Sequence, residues 1–350
     1  MGETLLLGVS HYPPLAKADN RMASILASML RNPNLPEELK TPQGWPAGMA
    51  EEWSDDQGTA AATRHRAELV ENFRKVRAAL DDFKPDLIVM WGDDQYENFR
   101  EDIIPPYCIC AYDKLEFKPP KDNIWGLPSD VGMELPSRPD IGKKLADYLI
   151  RAGFDTSYAY KPLHDSLGHA FVNGILYLDY DRDGFDYPVL PFAINCYGRR
   201  VIVQKGGRPD FHKKLSDDDL DPMAPTPRRL FDLGAATARF FAESPWRVAL
   251  VASSGWSHAF LNEGSHYLWP DAEADRQLFE SLRDGRYDHW RDYCPDLIES
   301  AGQQEVLNWM CLAGALSELK RKPDVISLVE TWIFNSSKCF LVSGPAEQSP

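Results

Sequence analysis

Apolar residues along this chain come in two rhythms: short unbroken runs, and longer stretches with apolar positions three or four apart. Thr4 to Val9 is a short run stopped by Ser10-His11-Tyr12-Pro13-Pro14, the pattern of a buried strand that delivers His11 to its C-terminal tip. Alanine, leucine and charged residues at helical spacing predict a long helix from Thr59 to Phe83, broken by Lys84-Pro85-Asp86. Leu87 to Trp91 is a second buried strand, running directly into the polar stretch Gly92-Asp93-Asp94-Gln95-Tyr96-Glu97-Asn98-Phe99. The pattern then repeats. A helix from about Gly142 to Ala152, a strand from Pro188 to Asn195, a helix around Leu230 to Glu243 and a strand from Val248 to Ser253 follow in turn. A helix from Gln303 to Leu319 and a short strand near Cys339 to Val342 close the series.

Strands alternating with helices predict an α/β fold in three layers, with a mostly parallel or mixed central sheet flanked by helices. One large domain over residues 1–343 is expected, with a disordered tail at 344–350. Two stretches read as insertions, long enough to be lids or assembly contacts. Asn32 to Asp56 holds four prolines and two tryptophans (Trp45, Trp53), and Gly206 to Arg229 is rich in Pro, Asp and Lys. In α/β sheets, ligands gather outside the carboxyl ends of the strands. Here those ends carry His11, the Asp94-Gln95 pair and His258.

Composition narrows the classes. With 43% apolar residues the chain can build a sizeable core, and 38 basic against 53 acidic residues give a net charge of −15. Nucleic-acid binding needs a basic footprint and is not expected. No run of apolar residues approaches the roughly 20 needed to span a membrane, and the N-terminus carries no basic region or cleavage site. Six cysteines without a CxxC pair read as reduced thiols, so a cytoplasmic protein is expected.

Three histidines, His11, His169 and His258, stand at element ends beside small residues, and Glu305 opens an otherwise apolar helix. A carboxylate among apolar neighbours wants a cation or a helix N-terminus. A rival chemistry also presents itself. Gly255-Trp256-Ser257-His258-Ala259 follows a strand and nearly fits a nucleophile elbow, with Asp271, Asp284, Asp288, His266 and His289 downstream as acid and base.

The ordered set of motifs resembles the class III extradiol ring-cleavage dioxygenases, of the protocatechuate 4,5-dioxygenase catalytic-subunit type. Ser10-His11-x-Pro13 resembles the family's N-terminal metal histidine, and Gly92 to Phe99 is similar to its Gly-x-Asp-His-x-x-x-Phe motif. Ser166-Leu167-Gly168-His169 is similar to the segment holding its acid–base histidine. Ser254 to His258 and Glu305-x-x-Asn308-Trp309 resemble its Gly-Gly-x-Ser-His stretch and its metal-glutamate stretch. The resemblance implies a mononuclear non-haem iron(II) site acting on a small aromatic substrate and O2, in a chain that can form homo-oligomers. It implies His11 and Glu305 as metal ligands, His169 as the acid–base group and His258 beside the substrate. The family's second metal histidine falls on Gln95. Three arrangements are then open: the Gln95 amide coordinates, Asp94 swings in, or a water takes the place. A scaffold protein of the same fold, or a metal enzyme of different reaction type, are the alternatives.

Overall fold

Four of the strands are buried on both faces, which is why each appears in the sequence as an unbroken apolar run. They are β1 (Glu3–Val9), β2 (Leu87–Asp93), β7 (Val189–Ile194) and β8 (Arg247–Ser253). In the computed structural model, which describes residues 2–206 and 215–345, these four run parallel in the order β7-β2-β8-β1. Around them lie β3 (Tyr107–Cys110), β6 (Ser157–Ala159), β9 (Val325–Val329) and β10 (Lys338–Ser343). Among the described residues these make one eight-stranded sheet in the order β6-β3-β7-β2-β8-β1-β10-β9. β10 pairs antiparallel with β1 and β9, and β3 antiparallel with β7, so the sheet is mixed. A separate antiparallel pair joins β4 (Lys114–Phe117) to β5 (Met133–Pro136).

Successive residues of each central strand serve opposite layers. Leu5, Leu7 and Val9 pack into one apolar cluster with Phe73 and Val76 of helix Thr59–Phe83 and Phe171 and Ile175 of helix His169–Leu178. Leu6, Val89 and Trp91 belong to the other cluster, with Leu233 of helix Pro227–Ala242 and Trp309 and Met310 of helix Val306–Glu318. The molecule is thus a single three-layer α/β domain. Gly8 shows how tightly the second layer is seated: a Cβ there would stand 2.1 Å from the Trp309 ring. Trp309 also donates its indole N–H to the Ser254 carbonyl at 3.3 Å. These contacts bring the N-terminal end of its helix up to the strand tips.

Several expectations shift. β2 runs two residues past Trp91 and ends on Asp93. The long C-terminal helix begins at Val306, after a turn in which Gln303 and Gln304 are buried. Asn32 to Asp56 holds the helix Ala47–Trp53, and Glu52 accepts from Thr331 Oγ1 (2.7 Å) and from the Trp332 and Ile333 amides (2.6 and 3.1 Å). The second inserted stretch ends early, because Pro227 already opens a helix capped by Thr226. Its residues 207–214, and residues 346–350 of the tail, lie outside the described residues. All six cysteines are free, five of them buried and Cys294 exposed.

Candidate functional site

Parallel strands put their C-terminal ends on one rim, and everything polar and buried in the fold's centre collects there. His11 follows β1 with 2% of its surface exposed. Its Nδ1 meets the Ser253 carbonyl at 2.9 Å. A carbonyl only accepts, so Nδ1 carries the proton and Nε2 presents a lone pair. That lone pair faces Glu305 Oε2 at 3.4 Å and Asp93 Oδ1 at 3.7 Å. His258 is arranged likewise: Nδ1 donates to the Trp256 carbonyl at 2.7 Å, leaving Nε2 at 3.2 Å from Glu305 Oε1. Gly255 permits this, since a Cβ there would stand 2.9 Å from His258 Cε1. Burial lowers the pKa of His11 to about 4 and, with the charge of His11, that of His258 to about 3. Both rings are neutral donors at neutral pH.

Glu305 stands at the N-cap position of the helix Val306–Glu318, its side chain turned away from the helix amides, and is 2% exposed. Its Oε1 accepts from the Tyr197 hydroxyl at 2.6 Å, while Oε2 has no hydrogen-bond partner among the described residues. Asp93, fully buried, stands 3.1 Å from the same hydroxyl through Oδ2 and accepts from Asn308 Nδ2 at 3.3 Å. Two carboxylates thus share one phenolic proton. Burial and the Asp93 charge push Glu305 well above the usual carboxylate range. The excess of lone pairs over protons is the signature of a cation site.

His169 opens the helix His169–Leu178 and packs edge-on against His11, with ring centroids 4.9 Å apart. Glu97 accepts from its backbone N–H at 2.9 Å and from Nδ1 at 3.0 Å. Burial opposes the imidazolium, but Glu97, Asp93 and Glu305 outweigh it and raise the His169 pKa to about 10. His169 is therefore a charged acid at the mouth of the site. A cavity of about 130 Å³ joins His11, His169, His258 and Glu305 to Gln95 and Tyr12.

Gln95 reaches the wall of that cavity, but its amide nitrogen is tied to the Gly206 carbonyl at 2.8 Å. Asp94 is engaged by its own turn. Its carboxylate accepts from the backbone amides of Glu97, Asn98 and Phe99 at 2.9 to 3.2 Å and shapes the turn after β2. The hydrolase arrangement is also absent. Ser257 Oγ donates to the Ala301 carbonyl (2.5 Å) and accepts from the Asp271 amide (2.7 Å), with no histidine among its partners in the described residues. Asp93, Tyr197, Asn308 and Glu97 were not singled out by sequence. For Asp93 and Tyr197 a signal existed: both lie at or just beyond the C-terminal ends of central strands.

Residues 220–335 match the family model described as the catalytic LigB subunit of aromatic ring-opening dioxygenase. That match takes in about a third of the chain, and the similarity to named ring-cleaving dioxygenases extends over about half of it. A protein of Pseudomonas putida named 2,3-dihydroxyphenylpropionate/2,3-dihydroxicinnamic acid 1,2-dioxygenase 2 is 28% identical over 193 residues, 55% of this chain and 49% of that protein. The 2,3-dihydroxyphenylpropionate/2,3-dihydroxicinnamic acid 1,2-dioxygenase of Paraburkholderia xenovorans (strain LB400) is 30% identical over 182 residues, 52% of this chain and 46% of that protein. The chain spans about half the length of the curated relatives it matches. Of the rim residues, His258 and Glu305 fall inside the LigB match, and His11, Asp93, Gln95 and His169 precede it. No helix among the described residues is long and apolar enough to cross a membrane.

Behind this site, Asp275 anchors the turn that presents His258. It is fully buried and accepts from the Ser257 amide at 3.0 Å and from Gln303 Nε2 at 2.7 Å. Burial raises its pKa to about 7 from 3.8, with the Gln303 bond opposing. A carboxyl raised on folding favours the folded state fully below its unfolded value, and that contribution fades as pH climbs through the folded value. Wild type should therefore lose on the order of a few kcal/mol between about pH 4 and pH 8 through this group. Asp275→Asn is expected to flatten that part of the curve, as read by denaturant unfolding of both proteins across the range. Parallel curves would remove Asp275 from the account.

Proposed function

We propose that this protein is an iron(II)-dependent extradiol-type dioxygenase that cleaves the ring of a catecholic or related phenolic substrate with O2. The observation that carries this reading is the convergence of His11 Nε2 on the unpartnered, buried Glu305 Oε2 at 3.4 Å, on the wall of a cavity of ring-sized volume. An imidazole and a carboxylate suit a divalent first-row metal, and His11 and Glu305 would hold it. Bound there, iron(II) supplies a meeting point for the catecholate and dioxygen. The substrate provides the electrons, so no reducing cofactor is called for.

The chain's own residues then bind, orient and move protons. His169 faces the cavity mouth with its charge set by Glu97, placed to exchange a proton with a substrate hydroxyl. His258, held neutral, offers an Nε2 acceptor on the cavity wall beside Glu305, and its tautomer is fixed by the Trp256 carbonyl. Tyr12 and Phe260 give the cavity its apolar sides. The relatives' printed activities on 2,3-dihydroxyphenylpropionate support a ring with adjacent hydroxyls as the substrate class.

Protein prepared without oxygen, loaded with iron(II) and offered a panel of catechols at an oxygen electrode tests this. One O2 consumed per ring lost is the expected result. Tight metal uptake without oxygen consumption on any ring would point to a different reaction, and absence of metal uptake to a scaffold.

A further inference from the structure

The family pattern places its second metal histidine at Gln95, yet the buried donor beside His11 comes from two residues earlier. We infer that Asp93 is the third protein ligand of the metal centre and that Gln95 is a wall residue outside it; the inference rests on the metal-site reading above.

Strand geometry explains the substitution. Side chains of β2 alternate, so Leu87, Val89, Trp91 and Asp93 point to one layer, and Trp91 lies in the same cluster as Trp309. Asp93 therefore emerges beneath the rim, next to the helix that Glu305 precedes. Its Oδ1 stands 3.7 Å from His11 Nε2, and Glu305 Oε2 stands 3.4 Å from the same nitrogen. Donors sharing one octahedral ion with bonds near 2.1 Å lie roughly 3 to 4 Å apart, so both separations are already close to those of a ligand shell. His11, Asp93 and His169 also each offer a donor atom within 4.8 Å of the others. An independent sign comes from Glu305 Oε2, a carboxylate oxygen in a 2% exposed residue, beside His11 and without a hydrogen-bond partner among the described residues. Asp93 is fully buried, and its two neighbours Tyr197 and Asn308 orient the carboxylate without neutralising it. Gln95, by contrast, uses its amide nitrogen on the Gly206 carbonyl, and its side chain is only partly buried.

One imidazole and two carboxylates make a harder donor set than two imidazoles and one carboxylate, and cancel the charge of a divalent ion. Such a set narrows the preference for iron(II) over manganese(II).

The test uses cobalt(II) under anaerobic conditions as a spectroscopic probe, with wild type, Asp93→Asn, Asp93→Cys, Gln95→Leu and Gln95→Cys. Asp93→Asn should weaken cobalt binding by at least about tenfold, since even changes behind the ligands cost 10–100-fold. Gln95→Leu should leave it within about threefold, well short of that loss. Asp93→Cys should give a thiolate-to-cobalt charge-transfer band and Gln95→Cys should not, which reports direct ligation even where affinity has changed. A band from Gln95→Cys with none from Asp93→Cys overturns the inference. So does unchanged binding in Asp93→Asn while His11→Ala and Glu305→Gln lose the metal, an outcome that leaves the metal-site reading standing. Wild type that binds no cobalt overturns both.

Discussion

Glu305→Gln is expected to lower metal affinity by more than about 100-fold and to abolish turnover with it, because it removes a proposed ligand rather than a group behind one. The substitution keeps the shape of the side chain and replaces the unpartnered Oε2 or its twin by an amide. The metal-free protein should not suffer. Burial and Asp93 already disfavour ionised Glu305, so a neutral isostere relieves that cost and the variant should unfold no earlier than wild type in chelator. Loss of metal together with intact or raised stability separates a ligand from a structural acid. Anaerobic iron titration beside thermal unfolding in chelator measures both. Full metal occupancy in the variant would sink the proposed centre.

His169→Gln should do the reverse, keeping iron and losing on the order of 10²–10⁴-fold in turnover, the worth of a positioned acid–base group. The ring is edge-on to His11 and tied through Nδ1 to Glu97, so it can serve a substrate hydroxyl without serving the metal. Glu97 sets its charge, and Glu97→Gln should move the alkaline limb of the pH–rate profile to lower pH, since it removes a carboxylate that holds the imidazolium. Iron content and steady-state rates on the best catechol check this pair. Iron lost in proportion to activity would reassign His169 as a ligand.

The central sheet was readable because its four parallel strands are buried on both sides and each shows as an apolar run. Of the other strands, β10 was legible near Cys339 to Val342, and the shortest were not. Ser157–Ala159 is three residues long and carries the half-exposed Tyr158, and no periodicity distinguishes so short a segment from a loop. Ending the second strand at Trp91 hid Asp93, whose alternation with Leu87, Val89 and Trp91 was visible all along. His11, His258 and Glu305 were legible as polar residues at element ends, and the structure brings them together. Glu97 gave no signal. Its role depends on meeting His169 across a turn that Asp94 folds, and pairing over such a distance has no local pattern.

The sheet order has a consequence for how this protein is made. β1 reaches β2 only through β8, so residues 3–9, 87–93 and 247–253 must all pair before His11 can meet Asp93. Glu305 arrives later still in the chain, on a helix docked beneath those strands. Parallel pairing between distant segments is the slow part of folding. An ion that binds only the completed arrangement adds RT ln(1 + [L]/Kd) to its stability and nothing to its nucleation. Metal uptake should thus trail the recovery of native fluorescence during refolding, and on a ribosome-bound chain the proposed centre cannot load before Glu305 has emerged.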